Sequence, residues 1–431
     1  MVLEIIECVY RVSKKVHQTV EEVKANKQRC KRLSDRVRYL VAPLKELFKD
    51  KEREVVYKEA LIDLVQTLEE ARQFMKTFTR TKTVTKRIQD YCYPSQVKEK
   101  FEYLNEKLND LIPTLTLGLH VEHRRSVRNL FAPGLRGTQD TKDECEDLQE
   151  MQQIMKGLGL SALSNIDCAD LKQRKRVKKS SLYDIYTAKY RMSTVIVKKL
   201  RCTLTPATKD LFINDANKLV HLNSENVVRV FGVSVDPKED SYLLVMENME
   251  LGNLNKILLS KIPIDNDLKV RMAVEASRGL YFIHCSGMLH GNLCSTKFLV
   301  NEDFHIKISG FGFSNQVLGE NAPGSRKSMF ASKKSDKSSE GTYDEKTEIY
   351  EFGLVLWQIC RRLPKSKYKK NPEPEDLRAS ESEITDAKTE LLAVSSWCCE
   401  DDEFARPSME DILEHLIEYK ERVAEYEDGK D

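Results

Sequence analysis

The chain has few of the residues that interrupt regular structure. Glycine occupies 17 and proline 12 of 431 positions, which excludes collagen-like and low-complexity classes. The eleven cysteines include no CxxC pair; only Cys398 and Cys399 are neighbours, and the eight histidines show no metal-ligand spacing. A structural zinc site is therefore not expected, and the cysteines read as thiols of a reducing compartment. No apolar run approaches the ~18 residues of a membrane span. The most apolar stretch, from Leu111 to Leu119, contains Pro113. Glu4 and Glu7 interrupt the apolar N-terminus, which does not fit a signal peptide. Excess charge of one sign is also missing: 70 Lys and Arg face 68 Asp and Glu. The chain as a whole is not expected to bind nucleic acid, and any basic surface must be local.

What is present is periodic. Before Pro94 the only Gly or Pro is Pro43. Val2, Ile5, Val9, Val12, Val16, Val20 and Val23 repeat at three-and-four spacing. So do Leu33, Val37, Leu40, Leu44 and Leu47; Tyr57, Leu61, Leu64, Leu68, Ala71, Met75 and Phe78; and Val97, Phe101, Leu104, Leu108 and Leu111. The pattern predicts four amphipathic helices. Burying their seams together predicts a four-helix bundle over residues 1–120. Pro43 and Pro113 are expected to bend or end their helices.

The polar faces of this bundle are unbalanced. Lys24, Lys27, Arg29, Lys31, Arg32, Arg36 and Arg38 share one stretch with a single acid, Asp35, and Lys76, Arg80, Lys82, Lys86 and Arg87 share another with none. Two readings stand. The runs are solvated helix faces, or they form a site for anionic phospholipids, where each cation near an acidic bilayer contributes roughly 1 kcal/mol.

Residues 121–175 read as a helical brace or linker. Ala132-Pro133-Gly134 and Gly137 mark a loop, an acidic helix runs from Asp143 to Met155, and a short helical piece spans Ser161–Leu171. The dense basic run from Lys172 to Lys179 reads as a linker, or as part of a connector that transmits the state of one domain to the other.

From about 180 the pattern changes to short β-like runs followed by helices. Ser193–Leu200 is a strand carrying Lys198, and Asn226–Val233 and a run from Tyr242 follow. Then come His290-Gly291-Asn292, Phe298-Leu299-Val300, Gly310-Phe311-Gly312, Ile349–Trp357 and Arg406-Pro407-Ser408. In this order the segments resemble a protein kinase domain over 176–425. The resemblance implies a bilobal α+β fold. It places Lys198 at the phosphate-gripping lysine, Asp215 at its helix-borne ion-pair partner, Asn292 at the catalytic base, and Lys297 and Gly310 at the two metal ligands. The glycine-loop positions read Lys178, Ser180 and Tyr183. Ile185, Ile196, Glu247 and Met249 fall around the nucleotide pocket. Base and both metal ligands are absent together, which points to a pseudokinase. Arg406 is expected to pair with an acid, Glu340 being one candidate. No cofactor is required, and ATP without metal is the nucleotide to consider, with Lys297 supplying charge near the phosphates. Gly312–Gly341 corresponds to the activation segment; Ser325 and Ser328 are its phosphorylation candidates.

A basic four-helix bundle, a helical connector and a pseudokinase, in that order, resemble the mixed lineage kinase domain-like family of necroptosis effectors. The likeness is carried by Lys27-Gln28-Arg29-Cys30-Lys31-Arg32-Leu33, Val230-Phe231-Gly232, Val245-Met246-Glu247, His290-Gly291 and Gly310-Phe311, among others. It implies a cytoplasmic protein phosphorylated in its activation segment by an upstream receptor-interacting serine/threonine kinase. The bundle is then released, the chain forms homo-oligomers, and phosphoinositide binding leads to permeabilisation of the plasma membrane. The rival class is a non-catalytic scaffold whose bundle binds a protein partner.

Overall fold

A computed structural model describes residues 2–23, 25–42, 44, 54–79, 94–115, 133–157, 164–179 and 183–200. Between 201 and 240 it describes 212, 213, 216, 217, 219, 220, 222 and 224–236; beyond that, 241–310, 343–362 and 387–428. The chain divides into two compact units, Met1–Ile154 and Met155–Asp431.

In the first unit the four seams form helices: α1 (Val2–Glu21), α2 (Lys27–Val41), α3 (Glu54–Thr79) and α4 (Pro94–Leu115). α1 packs on α2 and α3, and α4 packs on the same two. Val9, Val16, Leu33, Leu64, Leu68, Met75, Leu104 and Leu108 are wholly buried. Each large side chain so buried contributes about 2 kcal/mol. Phe74 meets Phe78 and Phe101 edge to face at 5.0 Å, joining α3 to α4. α4 continues past Pro113 to Leu115, so the proline sits in its last turn. Pro43 lies outside the described residues.

The fifth helix, α5, runs Pro133–Gly157. The loop expected at Ala132–Gly137 is therefore corrected: the helix begins with Pro133, a position where a missing N–H costs nothing. Up to Ile154 it belongs to the first unit.

The second unit opens with β1 (Ser164–Asn165), a 3-10 turn at Cys168–Asp170 and β2 (Lys172–Lys179). Two expectations are corrected here. No helix spans Ser161–Leu171 among its described residues, and the basic run is a strand rather than a linker. It continues into β3 (Tyr183–Tyr190), β4 (Ser193–Leu200), β5 (Val230–Asp236) and β6 (Ser241–Glu247). The sheet order is β1-β5-β6-β4-β3-β2, with β2 at an edge. β5 starts at Val230 rather than Asn226 because the residues before it pair elsewhere. Val228 N–H donates to Ile308 O at 2.9 Å, and Ile308 N–H to Asn226 O at 2.8 Å.

The remainder is mostly helical, with a small sheet of β7 (Gly252–Asn253), β8 (Phe298–Val300) and β9 (Ile306–Ile308). Asn253 caps α6 (Leu254–Leu259) through the Lys256 N–H, and Asp265 caps α7 (Asn266–Cys285) through Leu268. Asp344 caps α8 (Glu345–Arg361) through Thr347. α9 (Ala387–Cys398) and α10 (Met409–Asp428) complete the unit. α7 packs on α8, α9 and α10, and α8 on α9.

The α8–α9 contact requires Gly353. A Cβ there would lie 2.6 Å from Cys398 Cβ and 2.7 Å from Cys399 Sγ. Gly353→Ala should therefore lower stability by about 1–3 kcal/mol through overpacking, read as a fall in the Tm of the full chain. An unchanged Tm would show that the two helices move apart at no cost.

Candidate functional site

The residues that the kinase resemblance singles out lie on β3, β4 and β6 and on the segments around β8 and β9 of the second unit. Lys198 stands on β4 opposite Ile185 of β3 and Leu244 of β6, and Ile196 opposite Met246. Burial, and then the Lys297 charge, push the Lys198 amine down to about 8. Lys297 ends the short turn Ser295–Lys297, and its Nζ lies 3.5 Å from Gly310 O. Gly310 has φ 86°, in the left-handed region, and a Cβ there would be 3.1 Å from Lys297 Cδ and 3.3 Å from its Nζ. The lysine side chain therefore fills the space beside residue 310. Asn292 is exposed; its N–H donates to His290 Nδ1 at 3.3 Å. The Glu247 carboxylate accepts from Lys307 Nζ at 2.7 Å and from the Arg229 N–H at 3.1 Å. Met249 is buried just beyond β6.

The loop carrying these positions is held from below. Glu348, wholly buried on α8, accepts from Gly291 N–H at 2.9 Å, from His284 Nε2 at 2.7 Å and from Tyr343 OH at 2.8 Å. Burial opposes its charge, but His284 and the Gly291 N–H hold the carboxyl below its ordinary range. Glu351 accepts from the Leu293 N–H and from the same Tyr343 hydroxyl. His290 Nε2–H donates to Ser309 O at 3.0 Å, tying the loop to the residue before Gly310. Burial pushes the His290 imidazole down to about 4, so it is neutral.

Chemically, the positions to which the kinase resemblance assigns the base and the two metal ligands hold an amide, an amine and no side chain. An amide has no basic lone pair, and an ammonium offers only donors. Two amines near enough for one charge to act on the other favour an anion over a divalent cation. No group of three His, Cys, Asp or Glu residues able to hold a metal occurs among the described residues. Asp215, Ser325, Ser328, Glu340 and Phe311 lie outside them. Arg406 donates to the backbone oxygens of Glu400 at 2.8 Å and Lys346 at 3.0 Å, while its candidate acid, Glu340, lies outside the described residues.

The basic residues of α2 separate into two sets. Lys27, Lys31 and Arg38 are exposed, as is Lys76 on α3. Arg29 and Arg36 are buried and Arg32 half-buried, and all three turn toward α5. Arg29 Nε meets Asp147 at 3.2 Å, Arg32 grips Asp143 through two bonds of 2.9 and 2.8 Å, and Arg36 Nη2 lies 3.1 Å from Asp140. Both sets repeat at i, i+3, i+7 and pair in antiparallel order. Asp147 also accepts the Gln28 N–H at 2.9 Å, so it caps the positive end of α2. Burial nonetheless pushes its carboxyl up to about 6. Arg36 Nη1 donates to Asn105 on α4 at 2.7 Å, and burial pushes that guanidinium down. The α2 cations are thus not one solvated face. Lys24, Arg80, Lys82, Lys86 and Arg87 lie outside the described residues.

Residue reading from sequence missed Asp140, Asp143 and Asp147 as partners of the arginines. The matched spacing of acids and bases was the signal. It also missed the loop-holding roles of Glu348 and Glu351, which stand at the start of α8 among other charged residues and show no signal alone.

A protein tyrosine and serine/threonine kinase family model matches residues 171–416. The chain belongs to that family. A second model, the mixed lineage kinase domain-like N-terminal domain, matches residues 6–149, which span the four helices and most of α5. Human mixed lineage kinase domain-like protein is 24% identical, over 96% of this chain and 99% of its own length. The mouse protein is 25% identical over 82% of each chain. Rat dual specificity testis-specific protein kinase 2 is 22% identical over 63% of this chain and 49% of its own, so its likeness stops short of the bundle-plus-kinase order. The two models follow one another along the chain, and this order makes it similar to the mixed lineage kinase domain-like proteins.

His290 carries a pH signature. Its folded pKa is depressed from 6.5 to about 4, so its contribution is present above pH 6.5 and lost as pH falls toward 4. The shift corresponds to about 3 kcal/mol. Urea unfolding of the full chain should show stability falling across that window, and His290→Phe should flatten the slope by nearly one proton. Equal slopes in both would remove His290 from the acid response.

Proposed function

We propose that the chain is a catalytically silent pseudokinase that acts as an effector of necroptosis. Its bundle is held in check by α5 and, once released, acts on anionic membranes. The ladder of Arg29, Arg32 and Arg36 against Asp147, Asp143 and Asp140 carries this reading. Burying ion pairs costs desolvation that their attraction barely repays. Arg29 Nη1 and Arg36 Nε are buried without a hydrogen-bond partner. Such a ladder fixes where α5 docks but contributes little net stability, which suits a contact made to open. When it opens, three covered cations join Lys27, Lys31, Arg38 and Lys76. Phosphorylation of the activation segment by an upstream receptor-interacting kinase supplies the trigger. Homo-oligomerisation, phosphoinositide binding and passage from cytoplasm to plasma membrane complete the sequence.

The test uses the full chain with Asp140, Asp143 and Asp147 all changed to Asn, which keeps their volume and removes their charge. Amides in 133–157 should exchange faster by at least about tenfold. Dye release from phosphoinositide vesicles should rise, with circular dichroism still helical. Unchanged exchange and leakage would reject the ladder as the restraint. Faster exchange without leakage would favour a scaffold whose bundle binds a protein partner. An all-Glu change at Arg29, Lys31, Arg32 and Arg36 is a poorer probe, because Arg29 and Arg36 are part of the packed interior.

The absence of catalysis has its own readout. Asn292, Lys297 and Gly310 support no metal-dependent phosphoryl transfer, while Lys198 and Lys297 together support ATP bound without metal. Incubation with labelled ATP should yield no transfer to generic substrates with Mg²⁺ or Mn²⁺. ATP should raise the Tm equally with and without Mg²⁺, and Lys198→Met should abolish that shift. Transfer abolished by Lys198→Met would overturn the reading, and a shift that requires Mg²⁺ would overturn the metal-free mode.

A further inference from the structure

β2 has no use in the reading so far. All eight of its residues are exposed. Six are cationic: Lys172, Arg174, Lys175, Arg176, Lys178 and Lys179. Arg174 meets Asp236 at 3.3 Å, and Lys179 stands across from Asp184 in the register. No carboxylate among the described residues pairs with Lys172, Lys175, Arg176 or Lys178. Lys172 lies directly opposite Lys189 of β3, a like-charge pair that works against the sheet.

The Lys172 end of the strand adjoins the β3–β4 turn, where Tyr190 pairs with Ser193. Both central residues have positive φ, 45° at Arg191 and 68° at Met192. Such turns favour Asn-Gly, yet this one carries an arginine and a methionine that is 97% exposed. Four cations along an edge have no carboxylate partner among the described residues, and an exposed apolar tip stands at one end.

We propose that β2 and the Arg191–Met192 turn form an anionic-membrane contact of the kinase-like unit, separate from the bundle. Lys172, Lys175, Arg176 and Lys178 meet lipid phosphates, and Met192 enters the boundary between headgroups and acyl chains, the division of labour seen in interfacial membrane contacts. An acidic peptide added to the strand's outer edge fits less well. The ladder shifts register between Lys172 and Lys175 and again between Arg176 and Lys178, and such breaks interrupt the row of groups that strand addition needs. A peptide there would also leave Met192 uncovered.

The test is co-sedimentation of the unphosphorylated full chain with phosphatidylcholine vesicles, with and without 30% phosphatidylserine. The parent should bind only the anionic vesicles, and less with added salt. Since each cation near the surface strengthens binding by roughly fivefold, changing Lys172, Lys175, Arg176 and Lys178 to Gln should weaken it by at least about fiftyfold. Met192→Gly should raise the Tm by relieving the turn while still weakening vesicle binding; a residue with a merely structural role would not move the two in opposite senses. Adding the four Gln changes to the chain with Asp140, Asp143 and Asp147 changed to Asn should leave its faster exchange in 133–157 as it was, which separates this contact from any failure of the bundle reading. Undiminished vesicle binding by the four-Gln chain would overturn the proposal. So would saturable binding of decaglutamate by a parent that ignores anionic vesicles, which would make β2 a peptide site.

Discussion

A charge taken out of water needs a partner close at hand, and both units of this chain are arranged around that requirement. In the first, Arg29 and Arg36 are too buried to be solvated, so α5 must bring Asp147 and Asp140 to them. In the second, Glu348 is wholly buried, and it is stabilised by collecting His284, Tyr343 and the Gly291 N–H. The positions of α5 and of the 290–297 loop follow from these pairings more than from apolar packing, which tolerates sliding.

The same requirement explains how the 290–297 loop keeps its shape whatever side chains it presents. Glu348, Glu351 and the His290–Ser309 bond fix the loop from beneath. None of them depends on what Asn292, Lys297 or Gly310 carries. The supports of the loop are buried, whereas Asn292 and Gly310 are exposed and Lys297 half-buried.

How much of this was legible in the sequence depended on range. The seams of α1 to α4 were readable because apolar residues at three-and-four spacing have only one way to be buried. β4 was readable end to end, since Thr194, Val195, Ile196 and Val197 form a β-branched run. The run at 172–179 was not, because a strand with both faces exposed has no alternation to read; only its pairing with β3 makes it a strand. The start of α5 was hidden by Pro133-Gly134, a pair that usually marks a turn and here opens a helix. In the site, the identities at 198, 292, 297 and 310 followed from motif order. The burial of Arg29 and Arg36 did not, because it depends on a helix more than a hundred residues away. A local reading sees seven cations beside one acid; the fold supplies three acids more.

One cysteine acquires a use from this arrangement. Cys30 follows Arg29 on α2 and is wholly buried; burial, with the Asp147 charge adding to it, holds its thiol far above its ordinary pKa. Cys30 packs in the core of the four helices, so burial suppresses its thiolate chemistry for as long as that core stays closed, with Asp147 adding to the effect. The rate at which an alkylating reagent finds Cys30 then measures how often the bundle core itself opens, without any label on the chain.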